Sequence, residues 1–178
     1  PLYSEETYKK TLNESKKVFK YLGIKDFEFL NIPATKVNEI PVSELNGKIS
    51  KFINKRKPDT IFIPFPDRHI DHRIIFDSAV VASRPVKNDC PKNVLLYETL
   101  SETHWNVPTA EPSFVPDFFI NIDNQLKNKL VALNLYKSQI NKKSPSRSPD
   151  AAKALANFRG SQNGCKYAEA FKVVRIVI

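Results

Sequence analysis

The chain has 178 residues, of which 41% are hydrophobic and 26% charged; this is the size and make-up of one folded globular domain, and it excludes a disordered tail or a collagen-like repeat. Its longest apolar runs, such as Thr60 to Pro66, fall short of the roughly 18 residues that a spanning helix needs, so no stable membrane insertion is expected. Lys and Arg (28) outnumber Asp and Glu (19) to give a formal charge of +9, but lysines such as Lys9, Lys16, Lys51, Lys127 and Lys142 are scattered over several elements without a binding motif, so a solvated basic surface and no nucleic-acid partner are expected.

Two cysteines, Cys90 and Cys165, are too few for a disulfide scaffold and lack metal-ligand spacing, which points to reduced thiols in a cytoplasmic protein. No Met occurs, and Pro1 runs directly into a helical pattern. We therefore expect that the natural chain begins upstream of Pro1.

In chain order, Tyr8, Leu12, Ser15, Phe19 and Leu22 mark one face of a helix capped by Ser4 and ended by Gly23. Phe27 to Leu30 alternates as a short strand. Ser43 to Lys57 is predicted helical, with Val42, Leu45, Ile49, Phe52 and Ile53 inward and Pro58 as its stop. Thr60 to Phe65 is almost continuously apolar, as a central parallel strand buried on both faces would be. A helix from Asp71 to Ala82 follows, then strands at Asn93 to Tyr97 and Phe118 to Ile122. Asp123 is expected to cap a helix carrying Leu126, Leu130, Leu133 and Ile140. Ser144 to Pro149 reads as a linker whose end, Ser148-Pro149-Asp150, starts a helix that stops at Gly160, and Phe171 to Ile178 closes the chain as a strand. Alternating helices and strands without a repeat give the expected fold class: α/β, a Rossmann-like layered fold with a mostly parallel sheet and helices on both faces.

Two of the three histidines fall in Pro66-Asp67-Arg68-His69-Ile70-Asp71-His72, between the most apolar strand and a helix. Ligands in open α/β sheets bind beyond the carboxyl ends of strands, and a helix start there adds free N–H groups. His69 and His72, three residues apart, share one helical face and can point into one pocket. The rival reading is a plain helix start, with Asp67 or Asp71 as its cap and the histidines incidental. His104, beside Trp105 in a loop, needs no function. Nothing supports a Ser or Cys nucleophile, and with four glycines no Gly-rich phosphate loop exists. Imidazoles and carboxylates at a strand end suit a hydrolytic zinc site: one His holds metal, a second donates to a developing oxyanion, and a carboxylate orients an imidazole.

Asp67-Arg68-His69-Ile70-Asp71-His72, preceded by Lys57-Pro58-Asp59, resembles the second signature of the zinc-dependent N-acetylglucosaminyl deacetylase superfamily, the PIG-L or LmbE-like family. Further matches are Glu14 with Leu22-Gly23-Ile24, Tyr97-Glu98-Thr99, Phe114-Val115-Pro116-Asp117, Lys129 through Tyr136 to Ser138-Gln139, Arg159-Gly160, and Tyr167-Ala168-Glu169-Ala170-Phe171. They span nearly the whole chain. The resemblance implies that residues 1–178 form a single deacetylase domain, a hydrolase that removes the N-acetyl group from a GlcNAc-like sugar conjugate by metal-activated water. It implies His72 as a ligand of Zn2+, or of another divalent metal that accepts N and O donors, with His69 stabilising the oxyanion and able to serve as general acid. Asp71 is implied as the orienting partner of His69, and Asp67 and Arg68 as residues facing the substrate. The partner is then an N-acetylated amino-sugar conjugate, and homo-oligomerisation stays open.

The family's first signature, His-Pro-Asp-Asp-Glu, which supplies the other ligands and the general base, does not occur in this chain. It and the first strand are expected upstream of Pro1, in roughly 30–50 further residues. Thr11 and Pro33-Ala34-Thr35 also stand where many relatives carry an arginine and an acidic turn. Two rivals remain: a non-catalytic, sugar-binding member with an incomplete metal site, and a basic nucleic-acid-binding domain, which a steep salt dependence on generic DNA would identify.

Overall fold

Side-chain caps set some of the helix starts in the structure, a computed structural model that describes residues 4–86, 89–107, 113–140 and 145–178. Helix α1 spans Glu5–Leu22; the Ser4 hydroxyl accepts the Thr7 N–H at 3.2 Å, and Gly23 closes the helix in the left-handed region (φ 72°). Helix α2, Val42–Arg56, follows Pro41 and ends on a left-handed Lys57. Leu45 and Ile53 carry its buried face, whereas Val42 and Phe52, expected inside, are exposed; the Arg56 guanidinium lies 3.8 Å over the Phe52 ring. Strand β1 is Thr60–Pro64, helix α3 Ile70–Ala82, and strand β2 Asn93–Tyr97. Strand β3 (Phe118–Asn121), helix α4 (Leu126–Leu135), helix α5 (Pro149–Ser161) and strand β4 (Ala168–Arg175) complete the order. Ser148 caps α5, accepting the Ala151 N–H with Pro149 in the first turn. Ser144, where the linker was expected to begin, lies outside the described residues.

The four strands form one sheet in the order β1-β2-β4-β3. β1 and β2 are parallel, with Thr60 opposite Asn93 and Pro64 opposite Tyr97, as one intervening helix requires. β4 runs antiparallel to β2, Tyr97 facing Phe171. It is antiparallel to β3 as well, since the Asp117 N–H donates to the Phe171 carbonyl and the Ile122 N–H to that of Tyr167. The sheet is therefore mixed rather than mostly parallel. Two helices, α4 and α5, separate β3 from β4, and the second adds one more reversal of chain direction.

Other expectations change for equally local reasons. Phe27 to Leu30 joins no ladder among the described residues; Phe27 and Phe29 instead gather around Phe19, with ring centroids 4.9 and 5.9 Å from it. β1 lies at one edge of the described sheet rather than its centre, and its Phe62 is 47% exposed. Asp123 does not cap α4, which starts after Gln125 without a side-chain cap. Its carboxylate is taken by the backbone N–H groups of Tyr167 (2.6 Å) and Lys166 (3.5 Å) on the approach to β4. α4 also stops at Leu135, short of Ile140, and residues 176–178 fall beyond the ladder of β4.

The chain divides into two compact units. One comprises Pro1–Ala34 and Phe119–Glu169, with Ile122, Leu126 and Ala156 at its core and Leu130 and Tyr167 against them. Within it the buried Glu14 carboxylate of α1 accepts both the N–H and the hydroxyl of Ser138, which gives a buried charge the partners it needs. The other unit comprises Thr35–Phe118 and Ala170–Ile178. Its core sets Ile63 and Phe65 against Ala79 of α3 and Val94 and Leu96 of β2, with Phe76 and Phe114 packed on the rim. Alternation along β1 puts Ile61 and Ile63 on this face and Phe62 on the other, where its ring lies 5.0 Å from that of Phe171.

Two glycines test the packing in opposite directions. A Cβ on Gly160 of α5 would fall 2.6 Å from the Tyr167 nitrogen and 2.8 Å from the Cys165 carbonyl, whereas a Cβ on Gly47 of α2 meets nothing within 4 Å. Gly160→Ala should cost about 1–3 kcal/mol by overpacking. Gly47→Ala should stabilise by about 0.5–1 kcal/mol because Gly is a poor helix former. Thermal unfolding of both variants checks this; a Tm for Gly160→Ala at or above that of the parent protein would contradict the close approach.

Candidate functional site

β1 hands the chain to α3 through a short segment that turns sharply. The Phe65 N–H extends the ladder to the Tyr97 carbonyl (3.0 Å), and the Asp67 N–H turns back to the Phe65 carbonyl (2.8 Å). That turn puts the Asp67 side chain inside; the residue is 1% exposed. A carboxylate so buried needs donors on both oxygens, and it has them. Oδ1 accepts the His69 N–H at 3.0 Å and faces His72 Nδ1 at 2.8 Å, while Oδ2 accepts the Thr103 hydroxyl at 2.9 Å.

This contact sets the chemistry of His72. A carboxylate accepts only, so Nδ1 carries the proton and Nε2 of the neutral ring keeps its lone pair. His69 is the N-cap of α3, in place of the aspartates considered from the sequence, and its Nδ1 accepts the Asp71 N–H at 3.2 Å. In the neutral ring the His69 proton is then on Nε2. The two imidazoles stack at 4.8 Å with 28° between their planes, as the three-residue spacing on a helix start requires. One ring offers a lone pair and its neighbour a donor.

The structure places the other candidates as follows. The Asp71 carboxylate lies 3.9 Å from His69 Nδ1, beyond hydrogen-bond reach, and accepts instead from the backbone N–H groups of Thr35 (2.7 Å) and Val37 (3.4 Å). Thr35 is held at φ 67°, a conformation that strains a β-branched residue, so this carboxylate braces a costly turn. Arg68, between the buried Asp67 and the half-buried His69, is exposed.

The segment after β2 contributes more than the sequence indicated. Thr103 is buried and contacts Asp67, and Glu98 Oε2 meets His104 Nε2 at 3.2 Å. The Tyr97 phenol is pushed above its usual range by burial and by the charge of Asp67. A hydroxyl residue 36 positions from its carboxylate partner carries no sequence signal, which is why Thr103 was missed.

His72 fits a metal ligand, since a carboxylate on Nδ1 is the usual support for an imidazole that binds through Nε2. Among the described residues, however, no group of three or more His, Cys, Asp or Glu side chains stands together as metal donors. No helix among the described residues is long and apolar enough to cross a membrane.

Residues 2–83 match the family model described as PIG-L: GlcNAc-PI de-N-acetylase. No curated protein matches the chain in sequence. Among solved structures, the conserved protein TT1542 from Thermus thermophilus superposes with a TM-score of 0.75 at 22% identity, over 99% of this chain and 76% of that one. The N,N'-diacetylchitobiose deacetylase from Pyrococcus horikoshii, complexed with its inhibitor MPG, gives 0.73 at 22% identity, over 95% and 64%. GalB, the 4-carboxy-2-hydroxymuconate hydratase from Pseudomonas putida, gives 0.71 at 15% identity, over 94% and 72%. At these identities the likeness establishes the α/β fold.

The brace at Asp71 generates a stability prediction. Asp71→Ala removes the acceptor for the Thr35 and Val37 N–H groups, and leaving such groups without a partner costs about 1–3 kcal/mol. Denaturant unfolding should show that loss with the slope unchanged. Unaltered stability would mean that the carboxylate does not hold this turn.

Proposed function

We propose that this chain, whose residues 2–83 match the PIG-L family model, is the body of a metal-dependent hydrolase that removes the N-acetyl group from a GlcNAc-like sugar conjugate. The observation that carries the reading is the pair of stacked imidazoles with opposite hydrogen-bonding character at the end of β1. The deacetylase among the structural neighbours supports it.

When bound, zinc supplies a Lewis acid and a water acidic enough to attack an amide near neutral pH. Asp67 holds His72 with Nε2 free, so that His72 serves as one protein ligand, the remaining donors coming from outside the described cluster. His69 presents Nε2–H to the acetamide oxygen as negative charge develops there. Asp71 acts on His69 through its backbone N–H, which fixes the ring's tautomer. Arg68, exposed on the same turn, faces the conjugate.

Release of acetate from N-acetylglucosaminyl substrates is the test. His72→Ala should lose bound metal and activity together, because two remaining protein ligands hold zinc poorly. His69→Ala should keep its metal and lower kcat by about 10²–10³. Wild-type metal content in His72→Ala, or wild-type turnover in a folded, metallated His69→Ala, would overturn the respective role. Sugar binding without any acetate release would favour a non-catalytic member of the family.

A further inference from the structure

Asp67 poses a geometric problem that its own torsions do not solve. The bond between Cβ and the carboxyl carbon of an aspartate rotates in a broad, shallow well, so the direction in which Oδ1 points must come from outside the residue. Both partners of Oδ1, the His69 N–H and the His72 ring, belong to the start of α3 and meet a single oxygen. Oδ2 is held from elsewhere, by Thr103 at 2.9 Å.

The Thr103 hydroxyl has one proton, and the direction of its bonds is fixed. The Thr99 N–H donates to Oγ1 at 2.7 Å, so Oγ1 is an acceptor there and its own proton goes to Asp67. Thr103 is itself immobilised, since its N–H and that of Glu102 both donate to the Thr99 carbonyl, at 2.8 and 2.9 Å, and the residue is 3% exposed.

We propose that Thr103 is a positioning residue: its locked hydroxyl sets the rotation of the Asp67 carboxylate, which in turn keeps His72 in the form with Nδ1 protonated and Nε2 outward. The proposal rests on the reading of His72 as the functional imidazole, and it makes the loop after β2 a determinant of that imidazole's state. Without the hydroxyl, Oδ2 is left buried without this donor, the carboxylate rotates, and the hold on Nδ1 weakens.

The test compares Thr103→Val, which keeps shape and removes the hydroxyl, with Thr103→Ser, which restores it, in the full chain. The first readout is the His72 tautomer, from 15N spectra of the three imidazoles in chelator-treated protein at a pH near 8, above the usual histidine pKa of about 6.5. The second is the split between kcat and KM for acetate release with zinc supplied. The parent protein and Thr103→Ser should show His72 with Nδ1 protonated, and Thr103→Val a mixture of tautomers. Supporting groups of this kind are worth about 10–100-fold, so kcat should fall by that factor in Thr103→Val, with KM unchanged and Thr103→Ser restoring it.

A folded Thr103→Val with a pure Nδ1–H tautomer and parental kcat would overturn the proposal. If Thr103→Val does not fold, Thr103→Cys replaces it, because a thiol is a weaker donor of similar size; a partial shift to the other tautomer supports the proposal and an unshifted one overturns it. A tautomer that responds as stated in a protein that releases no acetate leaves the positioning role intact and removes the deacetylase reading. Deacetylase activity with an unresponsive tautomer does the reverse.

Discussion

The site rests on a carboxylate taken fully out of water. Asp67 has three hydrogen-bond donors on its two oxygens, contributed by the helix start and by a loop 36 residues further on. An ionised group in that setting is tolerable only while every donor stays in place, because each loss exposes a desolvation cost of about 1 kcal/mol or more. The same requirement that keeps the carboxylate stable therefore ties His69, His72 and Thr103 to one another. Geometry at the site is a by-product of satisfying one buried charge.

Elsewhere the chain uses the same device for structure alone. Glu14 in α1 is buried and satisfied by the backbone and hydroxyl of Ser138, 124 residues away. Asp123 takes the N–H groups of Lys166 and Tyr167 at the approach to β4, and Asp71 takes those of Thr35 and Val37. Each of these carboxylates ties together segments distant in sequence, and each accepts from backbone N–H groups, which cannot move without moving the chain. Acidic residues in a strongly basic protein are here structural anchors more than solubilising charge.

The fold by itself leaves the reaction open. Similar backbones belong to a protein described as a chitobiose deacetylase and to one described as a hydratase of 4-carboxy-2-hydroxymuconate. What separates such chemistries is the character of groups at the strand ends. In this chain those groups are an imidazole with a free lone pair beside an imidazole with a free N–H. A hydrolytic reading follows from that pairing and from the family match over residues 2–83, not from the sheet.

Local periodicity and caps in the sequence determined most of the elements: α1 with Ser4 and Gly23, β2 at Asn93–Tyr97, α5 behind Ser148-Pro149, and the strand-to-helix turn that carries both histidines. These depend on neighbours within a turn or two, which a single chain displays. Tertiary structure decided the rest. Whether Phe27 to Leu30 finds a ladder partner, whether β1 lies at the centre or the edge, and whether Asp123 serves a helix or a backbone turn depend on groups far away in sequence. So do the burial of Asp67 and the reach of Thr103, which together place the carboxylate that faces the His72 ring. The protonation pattern of an imidazole is set by whatever touches its other nitrogen, and a motif names the ring without naming that contact.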